Sequence, residues 1–108
     1  MPEAPHHHVY VVELTPAALD DRRFVAANPD RRADKPCLYV GMTGHTPEKR
    51  FENHLNGVRA ARLVRKYGVR LRPRFYQHLN PMTYERAGKM ERELARRLRK
   101  RGFAVWQN

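Results

Sequence analysis

The sequence predicts an α/β protein of the α+β kind, in which a small sheet of three antiparallel strands is flanked by helices. Three observations lead to this prediction. Residues 9–14 are rich in β-branched and aromatic side chains, which is typical of a buried strand. Residues 38–40 form a second short apolar run that ends at Gly41, where we expect a turn. Residues 83–101 carry apolar side chains at helical spacing, as in a long helix packed on a sheet.

Length and charge limit the class of protein. The chain has 108 residues, so we expect one domain spanning 1–108. It carries 22 Lys and Arg against 11 Asp and Glu, a net charge of +11 that favours a polyanionic partner, nucleic acid before a membrane surface. Simple solubility is the alternative explanation. No apolar run approaches the ~20 residues of a membrane span and no signal peptide is present, so we expect a cytoplasmic protein.

The first two strands are separated by a long connection. The Thr15-Pro16 pair is a typical helix start, and residues 17–27 can form a short helix. Asn28-Pro29 ends it, because the residue before a proline avoids the helical conformation. We therefore predict a hairpin insertion at about residues 15–36. Its arginines either bind nucleic acid or are solvent-exposed side chains of a surface segment.

The segment after Gly41 predicts a helix. Thr46 supplies an N-cap oxygen and is followed by a proline and a glutamate, both favourable in the first turn. Arg50 and His54 share one face of this helix, because residues four apart are neighbours. Phe51 and Leu55 form the expected buried stripe.

Three further elements complete the chain before and after the long helix. Residues 59–67 predict a helix with apolar side chains on one side and cations on the other. Residues 69–72 alternate, and the proline that follows restricts them to an edge strand or a strand start. Residues 103–106 predict a last edge strand.

The third main strand is predicted at residues 75–79. Its outward face would combine basic and aromatic side chains, contributed by Arg74, Tyr76 and His78. Such a face can follow a phosphate backbone and stack a base, and it is also compatible with an ordinary wetted surface.

The long helix contains a carboxylate in its apolar stripe. At ~100° per residue, Glu91 lies in the middle of that stripe. The other members are Tyr84, Ala87, Leu94, Ala95 and Leu98. A carboxylate facing a sheet is costly unless it is paired, hydrogen-bonded or bound to a metal. A salt bridge to an arginine is the structural alternative to a functional role.

Four elements of the chain resemble the GIY-YIG endonuclease superfamily. His8-Val9-Tyr10 and Tyr39-Val40-Gly41 resemble the two tripeptides of its signature. The family also places an arginine on the first helix after the signature and a glutamate on a later helix, and Arg50 and Glu91 fit those positions. The resemblance extends from about residue 8 to residue 103. His8 departs from it, since the family usually has glycine there, and the connection between the two strands is longer than expected.

The resemblance implies a metal-dependent endonuclease that hydrolyses phosphodiester bonds, with DNA as the expected substrate. It implies that Tyr10 activates the nucleophile with Tyr39 as its partner. Arg50 would hold the scissile phosphate, since its planar fork of donors suits two oxygens. Glu91 would bind one Mg²⁺ or Mn²⁺ ion. His54 would orient a water or the phosphate, or it is a helix-surface histidine.

Three more residues complete the predicted interface with nucleic acid: Lys49, Arg74 and Tyr76. Lys49 would also favour the phenolate form of a nearby tyrosine. Family nucleases often take specificity from an attached domain, so we expect specificity to come from a protein partner or to be low. Two alternatives stay open: a non-catalytic nucleic-acid-binding module with the same fold, favoured by His8, and a basic protein-interaction domain.

Overall fold

A mixed sheet of four strands lies at the centre of the protein in the computed structural model, which describes residues 4–107. The strands are β1 (His8–Leu14), β2 (Cys37–Thr43), β3 (Gly68–Leu71) and β4 (Ala104–Gln107), in the spatial order β3-β1-β2-β4. The helices are α1 (Arg22–Ala26), α2 (Pro47–Leu55), α3 (Arg62–Tyr67) and α4 (Tyr84–Lys100), with 3₁₀ turns at Pro16–Asp20, Pro73–Phe75 and Gln77–Leu79. The predicted α+β class is therefore confirmed.

The pairing of β1 with β2 positions the two motif tyrosines. The strands are antiparallel, with Tyr10 opposite Gly41 and Val12 opposite Tyr39. Directly opposed residues share a face, and so do residues two apart on one strand. Tyr10 and Tyr39 therefore lie diagonally on the same face of the sheet.

The sheet differs from the predicted three antiparallel strands in two ways. The last edge strand predicted at residues 103–106 forms as β4, but it joins the sheet as a fourth strand and pairs with β2 in parallel, because α4 carries the chain across the sheet before β4 begins. The strand predicted at residues 75–79 is wrong. The third strand is Gly68–Leu71, and Pro73 starts the first of two consecutive 3₁₀ turns in which Phe75 and Tyr76 are buried.

Two predicted helices have different limits. The helix expected at residues 17–27 is split at Asp21, whose side chain accepts a hydrogen bond from the Phe24 N–H and so starts α1. The helix expected at 59–67 begins only at Arg62, since Arg59 has a positive φ of 48°. In both places a local backbone feature prevents a longer helix.

The predicted apolar faces are only partly confirmed. In α2 the buried residues are Pro47 and His54, whereas Leu55 is 49% exposed and Phe51 is half-buried. In α4 the predicted stripe is buried except for Tyr84, which is 61% exposed at the first residue of the helix. Glu91 is buried within that stripe, as its position in the sequence predicts.

Two asparagine side chains hydrogen-bond to strand backbone as a neighbouring strand would. The amide of Asn80 donates to the carbonyl of Val9 at 2.7 Å and accepts from the Val9 N–H at 2.9 Å. Asn28 makes the same pair of contacts with Val105, at 3.0 and 2.9 Å. Each asparagine satisfies its valine on the side that has no paired strand, since Val9 and Val105 both pair with β2 on their other side.

Within residues 4–107, no helix combines the length and the apolar character that crossing a membrane requires.

Candidate active site

A glycine allows the two motif tyrosines to pack together. A Cβ atom at position 41 would lie 2.6 Å from the Tyr10 ring and hydroxyl and 2.9 Å from the Tyr39 ring, closer than real contacts allow. Gly41 lies inside β2 and does not end it, contrary to the turn expected there. With this space open, the ring centroids of Tyr10 and Tyr39 are 6.1 Å apart, and both residues are 1% exposed.

His54 joins the tyrosine pair from α2. It is fully buried, so the helix-surface interpretation is wrong. Its Nδ1 accepts a hydrogen bond from the Ala61 N–H at 3.0 Å, and its Nε2 is 2.7 Å from the Tyr10 hydroxyl. Because a backbone N–H can only donate, Nδ1 must be the unprotonated nitrogen and the proton is on Nε2. The Tyr10 oxygen therefore accepts from His54, and its own proton points elsewhere.

The side chain of Arg50 is held near the same hydroxyl. Its two terminal nitrogens donate to the carbonyls of Val58 and Arg59 at 3.2 and 2.8 Å. These bonds occupy two of the five guanidinium donors, which leaves others for an anion. Burial has the largest effect on the pKa of its three neighbours, and the charge of Arg50 opposes the rise in Tyr10 and Tyr39 and adds to the fall in His54.

Burial dominates the protonation of the tyrosine pair. It raises the pKa of Tyr10 well above its ordinary value, and the neighbouring Tyr39 raises it further. Burial also raises the pKa of Tyr39, to about 12, although the contact with Tyr10 opposes this. At neutral pH both are hydroxyls. Their titration belongs to the pair, since each hydroxyl changes the pKa of the other.

His54 is neutral for the same reason. Burial, and then the charge of Arg50, lower its pKa to about 4. A neutral imidazole with its proton on Nε2 is the form that the two hydrogen bonds require.

Glu91 approaches the tyrosines from α4. It is 8% exposed and makes no hydrogen bond or salt bridge with the described residues, so the alternative of a structural salt bridge is wrong. Burial raises its pKa to about 7, and only the charge of Arg92 opposes this. The charge of Glu91 adds to the rise that burial causes in the pKa of Tyr39, so the carboxylate and the tyrosine pair interact electrostatically.

The carboxylate of Glu91 is suited to a metal ion that needs few protein ligands. No group of three or more His, Cys, Asp or Glu side chains there could form a protein-only metal centre. Mg²⁺ commonly takes one or two carboxylates and completes its shell with waters and substrate oxygens. A buried carboxylate without a hydrogen-bonding partner fits that use, because a cation would remove the cost of its charge.

The three residues predicted to bind nucleic acid make no hydrogen bond or salt bridge that is described above for the buried cluster. Lys49 is exposed on α2, 3.8 Å from the Glu52 carboxylate. Arg74 is exposed with its guanidinium over the ring of Phe75. Tyr76 is 3% exposed, so its ring is not accessible for stacking, and burial raises its pKa to about 12. The strand face that was to combine Arg74 with Tyr76 does not form, because this segment is 3₁₀.

Sequence reasoning missed the contacts that hold the cluster in place. The Ala61 N–H fixes the ring of His54, and the carbonyls of Val58 and Arg59 fix Arg50. All three come from the backbone between α2 and α3, which carries no side-chain signal. The detectable sequence signal is Gly57, since a glycine after Asn56 predicts a sharp helix end, and it adopts a positive φ of 76°.

No family model, curated protein or solved structure matches this chain.

Proposed function

We propose that the protein is a metal-dependent endonuclease of the GIY-YIG type that hydrolyses phosphodiester bonds in nucleic acid, with DNA as the expected substrate. One observation carries the proposal: Tyr10, Tyr39, His54 and Arg50 form one interacting group, and the buried, unpaired carboxylate of Glu91 acts electrostatically on Tyr39 of that group. Buried tyrosines, a guanidinium and a carboxylate are costly to bring together for stability alone, so their grouping favours a catalytic role.

The reaction needs a proton acceptor, and the tyrosine pair is suited to it. The oxygen of a water forms a bond to phosphorus, the bond to the leaving oxygen breaks, and the proton of the water goes to a tyrosine phenolate, whose own proton has first been released to solvent. The bond from His54 Nε2 stabilises a negative charge on Tyr10, as does the nearby charge of Arg50. We assign this step to the pair, because Tyr10 and Tyr39 titrate together.

The negative charge that develops on the phosphoryl oxygens needs cations. Arg50 has donors left for two oxygens and is pre-oriented by its bonds to Val58 and Arg59. Glu91 would hold a single Mg²⁺ or Mn²⁺ ion, which would supply positive charge at the phosphate. Bound there, an ion would also lower the pKa of both tyrosines.

A non-catalytic nucleic-acid-binding module is the second candidate, and one observation favours it. His8 stands where the motif has glycine, two residues before Tyr10 on the same face of β1. Its ring is half-buried, and its Nδ1 is buried without a hydrogen-bond partner. A bulky ring at this point narrows the approach of a substrate to Tyr10.

Substitution of Glu91 with glutamine tests the proposal. Glu91→Gln keeps the size of the side chain but removes the charge that would hold the ion, so cleavage with Mg²⁺ or Mn²⁺ should be lost while binding of nucleic acid remains. Glu93→Gln is the matched control on the same helix, since Glu93 pairs with Arg96 and Arg97 at the surface. We expect the control to cut labelled duplex and branched DNA at the wild-type rate.

Three results separate the candidates. A Glu91→Gln protein that cuts like the wild type removes Glu91 from the reaction and contradicts the proposal. A wild-type protein that binds nucleic acid but cuts neither DNA nor RNA with either ion favours the binding module. Absence of salt-sensitive binding contradicts both and leaves the protein-interaction domain.

A further inference from the structure

A basic cleft of about 700 Å³ lies between the end of α4 and the segment at residues 27–35. Seven of its lining residues are Arg or Lys, and one, Asp30, is acidic. The cations come from both walls: Arg31 and Lys35 from the inserted segment, and Lys100 and Arg101 from the end of α4. The cleft is distinct in its residues from the candidate active site.

The walls of the cleft are fixed by hydrogen bonds. Arg99 donates to the Val105 carbonyl at 2.9 Å and to the Asn28 side-chain oxygen at 3.3 Å. The Arg32 N–H donates to the Gly102 carbonyl at 2.7 Å, which joins the inserted segment to the chain after α4. The two sets of cations are therefore held facing one cavity before any ligand binds.

Most of this charge has no acidic partner in the described residues. Two of the seven cations form salt bridges, Arg32 with Asp34 and Arg96 with Glu93. Burial lowers the pKa of Arg99, which shows that its charge is partly removed from water. Cations in the last turn of a helix also offset its dipole, but that effect does not account for Arg31 and Lys35 on the opposite wall.

We propose that this cleft binds backbone phosphates of the nucleic acid whose cleavage is proposed above, as a second anchoring site remote from the reacting phosphate. The inference rests on the proposed function for its nucleic-acid ligand. Converging cations in a preformed cavity suit a chain of phosphates, because each contact releases condensed counterions.

The position of the cleft on α4 sets its distance from the reacting phosphate. Arg99 follows Glu91 by eight residues on the same helix, a separation of about 12 Å along the axis. For a duplex that runs along α4, at roughly 3.4 Å per nucleotide of a strand, the contacted phosphates would lie about three to four nucleotides from the cleavage point.

The salt dependence of binding tests this proposal. The double variant Arg31→Gln/Lys100→Gln removes one cation from each wall. Arg22→Gln/Arg23→Gln is the matched control, with the same loss of charge at exposed positions of α1 outside the cleft. Binding of a fluorescent DNA duplex is measured by anisotropy at several salt concentrations in EDTA, so that no cleavage occurs, and melting curves show that each variant is folded.

In a plot of the logarithm of the binding constant against the logarithm of the salt concentration, we expect the magnitude of the slope for the cleft variant to fall by about 2 relative to wild type, because each lost phosphate contact removes ~0.9. The slope for the control should stay unchanged. Equal slopes for the cleft variant and the control would overturn the proposal. So would a cleft variant that loses binding of polyglutamate but not of DNA, because the cleft would then belong to an acidic protein. A wild type that shows the expected slopes but never cuts contradicts the nuclease and leaves the cleft intact.

Discussion

The Nε2–H of His54 donates a hydrogen bond to the hydroxyl oxygen of Tyr10 across 2.7 Å, in a part of the core where both residues are almost fully buried. The Ala61 N–H bonded to Nδ1 fixes this tautomer. Protonation of the imidazole would add a hydrogen to Nδ1, which would then face the N–H of Ala61, a second donor. The arrangement therefore excludes the charged histidine, in agreement with its lowered pKa.

The stability of the protein should depend on pH through His54. Its pKa is about 4 in the folded protein, against an ordinary histidine value of 6.5, so the unfolded chain binds more protons between these values. This contribution to stability is intact above pH 6.5 and decreases as the pH falls to 4, by on the order of 2 kcal/mol. Urea unfolding of wild type and His54→Gln at several pH values measures it. We expect the difference in unfolding free energy between them to shrink over this range, and a constant difference would contradict the assignment.

Substitution of Gly41 should disturb the tyrosine pair. A Cβ at this position lies 2.6 Å from Tyr10, so Gly41→Ala forces the ring to move and should cost about 1–3 kcal/mol. Gly44→Ala is the control, because Gly44 is exposed and its Cβ would lie 3.4 Å from the nearest atom, in the ring of His7. Denaturant unfolding compares the two variants. Equal unfolding free energies for Gly41→Ala and Gly44→Ala would show that packing of the tyrosine pair does not require a glycine at position 41.

Removal of the charge of Glu91 should stabilise the protein at alkaline pH. Its pKa is raised to about 7 by burial, so the charged form destabilises the fold above pH 7 and this cost disappears as the pH falls towards 4.5. Glu91→Gln should be more stable than wild type at pH 8, by about 2 kcal/mol, and nearly equal to it at pH 5. Thermal melting at both pH values, in EDTA, is the measurement. A destabilised variant at pH 8 would indicate that the carboxylate is paired in solution.

Asn28 should contribute strongly to stability. Its side chain bonds the carbonyl of Phe24 and both backbone groups of Val105, and it is 3% exposed. Asn28→Ala leaves these buried groups unsatisfied and should cost about 2–4 kcal/mol. Asn56→Ala, at an exposed position, should change stability little. Hydrogen exchange of the Val105 amide would report the loss directly, and unchanged protection there would contradict this role.

The sequence by itself determined the α+β class, the first two strands, and the starts of α2 and α4. These features depend on local chemistry. Runs of β-branched residues favour the strands. The side chains of Thr46 and Thr83 cap α2 and α4 by accepting hydrogen bonds from the N–H groups of Lys49 and Arg86. The periodicity of α4 also determined that Glu91 is buried. These predictions succeeded because each depends on residues within a few positions of one another.

The tertiary structure decided the rest. Residues 73–79 carry apolar and polar side chains that suit either strand or turn, and packing of Phe75 and Tyr76 selects 3₁₀ turns over a strand. The burial of His54 in place of Leu55 depends on a partner hydroxyl 44 positions away in the sequence. The basic cleft forms only because Asn28 and Arg32 join the inserted segment to the chain after α4. Such contacts connect distant parts of the chain, and their free energy exists only once the sheet has brought those parts together.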